Sequence, residues 1–136
     1  MPDQVPAPRV LVIDDEAAVR AALCVTLSDA GYAVTEARDG AEALEILRAA
    51  PADAVLMDIY MPLQDGFEAI RELRRVAPAV KIIAISGGSR GDFDPLKAAE
   101  MLGADRTLRK PFGTDDLLGA LADLLPVPRP GGQPGA

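Results

Sequence analysis

The chain has no histidine among its 136 residues, which removes the commonest general base and metal ligand and leaves no internal phosphohistidine. Any histidine chemistry must come from a partner. The single cysteine, Cys24, cannot close an intramolecular disulfide, and within a helical pattern it reads as an ordinary buried or half-buried thiol. No apolar run approaches the ~20 residues of a membrane-spanning helix, and the opening MPDQVPAPR lacks the apolar stretch of a signal peptide. A soluble, cytoplasmic protein with no membrane partner is expected. Positive charge is scarce: 14 Lys and Arg face 21 Asp and Glu, for a net charge of −7. Nucleic acid is therefore not an expected partner, because phosphate contacts need clustered Lys and Arg. No internal repeat is present.

What the chain does have is apolar residue, 49% of the total, enough for one domain that buries roughly two-thirds of its unfolded surface. Residues 1–8 are Pro-rich and polar and read as a disordered lead-in, and PVPRPGGQPGA at 126–136 as a disordered tail. Between them, five short apolar runs alternate with five helical patterns. The strands are Arg9 to Ile13, Tyr32 to Ala37 (loosely alternating, as an edge strand would be), Ala54 to Met57, Lys81 to Ile85 and Arg106 to Arg109. The helices are Glu16 to Ala30, Ala41 to Ala50, Phe67 to Val76, Leu96 to Leu102 and Thr114 to Leu125. Gly31 would close the first helix, Pro51 stops the second, and Thr114 would cap the fifth, with Asp115 and Asp116 in its first turn. In the third helix Ile70 and Leu73 point inward and Arg71, Arg74 and Arg75 outward. This alternation predicts an α/β domain with a parallel sheet covered on both faces. Right-handed crossovers put every strand's C-terminal end on one edge, where ligands bind in such folds.

Four strands end on groups with chemical potential: RVLVIDD on Asp14 and Asp15, DAVLMD on Asp58, KIIAIS on Ser86 and RTLRKP on Lys110. Taken alone, Asp58 could simply begin the turn toward Met61-Pro62. Four such ends on one sheet edge point to a shared site. Carboxylates converging there would repel by roughly 3 kcal/mol per pair at about 5 Å and an effective dielectric near 20, a cost that a hard cation such as Mg²⁺ relieves. A lysine and a hydroxyl opposite the acids suit phosphoryl oxygens. The constellation reads as phosphoryl transfer to a carboxylate.

VIDDE, LMDIYMPLQDG, AIS and GADRTLRKPF, spread over Arg9 to Leu125, give the chain its resemblance to response-regulator receiver domains of two-component signalling, chemotaxis-regulator-like and single-domain. The resemblance implies a flavodoxin-like, doubly wound (βα)5 fold with five parallel strands in order 2-1-3-4-5. It implies that Asp58 accepts a phosphoryl group from a histidine kinase or histidine phosphotransfer protein. Asp14, Asp15 and Asp58 would hold Mg²⁺ with the Tyr60 carbonyl, Ser86 and Lys110 would contact the phosphoryl group, and Lys110-Pro111 would be cis. Such a module is not an enzyme in the ordinary sense, catalysing only its own phosphorylation and dephosphorylation. It would act as a monomer or weak homodimer on an output protein through the loop after Ser86 and the 95–125 face. A natural single-domain protein and a receiver cut from a longer regulator remain equally open.

The chain departs from the family at two places. Thr107 stands where an aromatic residue usually takes part in switching, and the loop GGSRGDFDP after Ser86 is glycine-rich and about two residues longer than usual. Two other functions fit parts of the pattern. A dehalogenase-type phosphatase would use Asp14 as nucleophile and Glu16 as general acid, with Ser86 and Lys110 in support. A binding module would keep the fold and signal without phosphorylation.

Overall fold

The computed structural model describes residues 7–61, 64–87 and 94–125, with the side chains of residues 60, 61, 64 and 65 left aside. Most of the expected lead-in, Pro62, most of the Gly87 to Pro95 loop and the tail lie outside the described residues. In chain order the elements are β1 (Arg9–Ile13), α1 (Ala17–Asp29), β2 (Ala33–Ala37), α2 (Gly40–Ala49) and β3 (Ala54–Asp58). A small ribbon follows, β4 (Tyr60–Met61) with β5 (Gln64–Asp65), and then α3 (Gly66–Val76), β6 (Lys81–Ser86), α4 (Pro95–Leu102), β7 (Arg106–Arg109) and α5 (Thr114–Leu124).

Five strands form one parallel sheet in the order β2-β1-β3-β6-β7. Counting those five alone, this is the expected 2-1-3-4-5. Alternate residues of each strand face opposite sides, and in β1, β3 and β6 both sides are buried, which is why these strands read as unbroken apolar runs. One side carries Leu11, Ile13, Val55, Met57, Ile82 and Ala84 against Leu47 of α2, Ile70 and Leu73 of α3 and Leu96 of α4. The other carries Val10, Val12, Leu56, Ile83 and Ile85 against Leu27 of α1 and Leu117 and Leu121 of α5.

The helix ends explain the chain's reversals. Gly31 has φ 100°, its N–H donates to the Ser28 carbonyl at 3.0 Å and the Tyr32 N–H donates to the Leu27 carbonyl at 3.1 Å, a glycine closure that satisfies the last carbonyls of α1. Asp39 caps α2 by accepting from the Glu42 N–H at 2.9 Å. For α5 the cap is Gly113 instead of Thr114, which lies inside the first turn. Asp116 supplies the expected charge there by accepting from the Gly113 N–H at 3.0 Å.

One charged side chain sits differently from the helical pattern's expectation, and the lone cysteine sits as expected. Arg74 does not point outward: its guanidinium donates to the carbonyls of Gly103 at 2.6 Å and Val80 at 2.6 Å and pairs with the Asp105 carboxylate. It thus ties α3 to the ends of α4 and β7 through carbonyls that only the folded chain brings together. Cys24 leans onto the α1–α5 side of the core. Burial, followed by the nearby Glu36 charge, pushes its thiol up to about 11, which leaves it protonated and unreactive.

Gly66, the first residue of α3, has a steric role. A Cβ there would lie 2.5 Å from both the Cα and the carbonyl oxygen of Ile59. The start of α3 therefore presses directly on the residue that follows Asp58.

Candidate functional site

The sheet register sets the site. Ile13 lies level with Met57, Asp58 with Ile85 and Ser86 with Arg109. Asp14 and Asp58 therefore leave the sheet side by side, while Ser86 leaves one step further along on β6 and Lys110 two steps further along on β7. All four emerge at the same edge. The ladder continues past β3 and β7: the Ile59 N–H donates to the Ile85 carbonyl at 3.0 Å, and the Lys110 N–H to the Ser86 carbonyl at 2.8 Å. The Lys110-Pro111 peptide is cis.

Asp14, Asp58 and Ser86 are the buried polar residues among those described, 3%, 7% and 0% exposed. Each ends an apolar strand, and burying them without partners would be costly. Lys110 Nζ lies 2.9 Å from Asp58 Oδ2, a charge-assisted contact. The Asp14 side chain accepts from the Glu16 N–H at 2.9 Å. Asp15, the next acid, is exposed.

The electrostatics follow from this packing. Burial, above all, pushes the Asp14 carboxyl above its usual range; the Glu16 hydrogen bond pulls it down, and the charges of Asp58 and Asp15 push it up again. For Lys110, burial works against the ammonium. The hydrogen bond and charge of Asp58, with the charges of Asp14 and Glu16, outweigh it and hold Lys110 above its ordinary value. The charges of Asp58 and Asp15 thus add to burial in disfavouring the ionised form of Asp14, and the Lys110 ammonium compensates in part.

Of the expected metal set, Asp14 and Asp58 are brought together, Asp15 stands exposed beside them, and Tyr60 lies two residues past Asp58 in the β4–β5 ribbon. Among the described residues no group of three acidic, cysteine or histidine side chains is close enough to share a cation. The donors nevertheless suit a hard divalent ion in type, all being oxygen, and the like charge that adds to burial in raising Asp14 is what such an ion offsets. Chemically, the edge offers a buried carboxylate with an ammonium on one oxygen and a hydroxyl residue on the adjacent strand.

Two residues that shape the site were not singled out from the sequence. Gly66 reads there as half of an ordinary Asp-Gly turn. Arg20 reads as the lone charge between Ala17 and Leu27, whereas its Nη1 donates to the Asp14 carbonyl at 2.6 Å and its Nε pairs with Glu36 at 3.1 Å.

Thr107 is half-buried in β7, level with Ala84. Two residues on, Arg109 pairs with Asp94 at 3.3 Å, and Asp94 caps α4 by accepting from the Leu96 N–H. Desolvation opposes ionisation of Asp94, but the Leu96 hydrogen bond and the Arg109 guanidinium together outweigh it and hold its carboxyl below the usual range.

Comparison with known proteins places this geometry in context. A family model described as response regulator receiver domain matches residues 10–122. The chain is 39% identical over 117 residues to the response regulator MprA of Mycolicibacterium vanbaalenii, covering 86% of this chain and 50% of that protein. It is 38% identical over 122 residues to the MprA of Mycobacterium avium, covering 90% and 53%. The chain therefore spans about half the length of the curated relatives it matches. Among solved structures, the chemotaxis protein CheY4 of Vibrio cholerae superposes with a TM-score of 0.79 at 31% identity, covering 88% of this chain and 99% of that one. A response regulator from Burkholderia pseudomallei, solved with a phosphorylated aspartic acid, a calcium ion and citrate, gives 0.75 at 29% identity, covering 84% and 66%. These relatives give no support to a dehalogenase-type phosphatase.

Proposed function

This chain belongs to the response regulator receiver domain family of two-component signalling, and on that premise we propose that Asp58 is its phosphoacceptor and Lys110, Ser86, Asp14 and Asp15 the residues that serve it. The observation that carries the proposal is the buried Asp58 carboxylate at the end of β3 with the Lys110 ammonium 2.9 Å away. In the transfer, an Asp58 oxygen forms a bond to phosphorus as the phosphorus–nitrogen bond of a partner's phosphohistidine breaks, and the imidazole leaves with the bonding pair. The partner is a histidine kinase or a histidine phosphotransfer protein, since this chain has no histidine of its own.

Asp14, Asp15 and Asp58, with the Tyr60 carbonyl, would hold Mg²⁺, which would neutralise charge on the transferring oxygens. Lys110 already sits on Asp58 and follows the negative charge onto the phosphoryl group. Ser86 supplies a hydroxyl from the next strand. The same groups support hydrolysis of the acyl phosphate, so the chain catalyses its own phosphorylation and dephosphorylation and no other reaction. The setting is cytoplasmic, where phosphodonor kinase domains act.

The output is a change of surface that a protein partner reads, carried by the loop after Ser86 and the α4–β7–α5 face. Ser86 is fully buried and Gly87 beside it is exposed, with no described atom within 4 Å of the position a Cβ would take. A pull of Ser86 toward the phosphoryl group therefore meets little resistance at that residue.

Labelling the full chain with acetyl phosphate and Mg²⁺ tests this reading. One phosphoryl group is expected on Asp58, lost in Asp58→Asn. Label mapping to Asp14 would overturn the proposal.

A further inference from the structure

We propose that Arg20 is a positioning residue for the acidic loop after β1, holding the Asp14–Asp15 peptide in the orientation that lets both carboxylates face a divalent cation. The inference rests on the functional reading above and extends it to a side chain outside the site itself.

Asp14 is fixed at three points. Its N–H donates to the Ala37 carbonyl of β2 at 3.1 Å, and its carboxylate accepts from the Glu16 N–H at 2.9 Å. Its carbonyl, the last polar group before Asp15, accepts from Arg20 Nη1 at 2.6 Å. The Arg20 side chain is only 17% exposed, and its Nε is held by Glu36 of β2 at 3.1 Å. The Arg20 N–H in turn donates to the Glu16 carbonyl at 3.0 Å.

One planar guanidinium therefore joins α1, the end of β1 and the end of β2. An arginine can do this because its nitrogens diverge in a fixed plane, so two partners on different elements lock its rotation. With its carbonyl pinned by Arg20, the trans peptide that starts Asp15 cannot turn about its axis. Asp15 is exposed and, among the described residues, has no hydrogen bond of the kind that orients Asp14, so the peptide plane is the structural feature that sets where its carboxylate emerges. Partners of this outer kind usually change metal affinity by about 10- to 100-fold when removed.

The test titrates Mg²⁺ into the full-length, metal-free protein by calorimetry, with amide resonances of residues 14–17 followed in parallel. Arg20→Met is expected to raise the Mg²⁺ dissociation constant about tenfold and to shift the 14–17 amides without metal. Labelling of Asp58 by acetyl phosphate at saturating Mg²⁺ should stay within about twofold of wild type, a split that a general loss of structure does not give. Arg20→Lys keeps the charge without the fork and should show a smaller loss of affinity. Wild-type Mg²⁺ affinity in Arg20→Met overturns the inference alone, as does labelling that stays lost at saturating Mg²⁺ together with a lowered melting temperature. Where Arg20→Met does not fold, Arg20→Lys decides, and wild-type affinity in it has the same force. A wild-type chain that neither binds Mg²⁺ nor is labelled at Asp58 overturns the functional reading, and this inference falls with it.

Discussion

Two glycines at helical positions should respond to alanine in opposite directions, and the contrast measures how tightly α3 is seated against the end of β3. In a helix, Gly→Ala ordinarily stabilises by about 0.5–1 kcal/mol. Gly119, exposed on α5, has nothing within 4 Å of an added Cβ, so Gly119→Ala should gain that amount. At Gly66 the added Cβ falls 2.5 Å from the Cα and from the carbonyl oxygen of Ile59. Both are backbone atoms, so no rotamer change relieves the overlap, and forcing atoms into a packed site costs about 1–3 kcal/mol. The clash outweighs the propensity gain, leaving a net loss of roughly 1–2 kcal/mol. Unfolding entropy of about 2.1 cal/mol/K per residue over a domain of this size converts this to a melting temperature roughly 4–8 °C lower, against ~2–4 °C higher for Gly119→Ala. Circular dichroism melts of the metal-free proteins measure both. Ile59 directly follows Asp58, so Gly66→Ala should also slow acetyl phosphate labelling at a temperature where it is folded, whereas Gly119→Ala should not. A Gly66→Ala protein that melts at or above wild type, beside a stabilised Gly119→Ala, would refute the reasoning.

Asp14 gives a pH-dependent prediction. Its folded-state pKa is raised, first by burial and then by Asp58 and Asp15 against the Glu16 hydrogen bond, so ionised Asp14 costs the metal-free fold stability above that pKa, and the cost disappears as pH falls through it. Asp14→Asn should therefore melt higher than wild type at neutral pH without metal, with a gap that closes on acidification, and Mg²⁺ should raise the melting temperature of wild type more than that of the variant. A variant less stable than wild type throughout this range would show that the carboxylate is structurally paired. For the output, a beryllofluoride mimic with Mg²⁺ should shift amide resonances from Ser86 through Leu102, with smaller effects on α5. Shifts confined to the neighbours of Asp58 and Lys110 would place the signalling surface elsewhere.

The sheet and its reactive edge were legible in the sequence because both are local patterns. A parallel strand buried on two faces must be apolar at every position, so the abrupt arrival of Asp14, Asp58 and Ser86 marks where β1, β3 and β6 leave the core. Right-handed crossovers then require those ends to share an edge, whichever strands are neighbours. Element boundaries followed from residues that act within one turn, such as Gly31 after α1 and Pro51 after α2. Thr114 shows the limit of that logic: Thr and Gly are both acceptable at the start of a helix, and the Asp116 carboxylate reaching the Gly113 N–H places the cap one residue earlier.

Tertiary structure alone decided the contacts that hold the helices and the site in place. Helical periodicity puts Arg74 on the outer face of α3, and it cannot show that the carbonyls of Val80 and Gly103 will lie within its reach. Nor can it show that Arg20 will find the Asp14 carbonyl, or that Gly66 will press on Ile59. The sequence by itself determined which polar side chains end the strands and that they meet at one edge, because burial and chain direction constrain side-chain type residue by residue. Their spacing and charge state were left to the folded molecule, because a backbone carbonyl looks the same at every residue of a sequence and becomes a partner only when distant segments are packed against it.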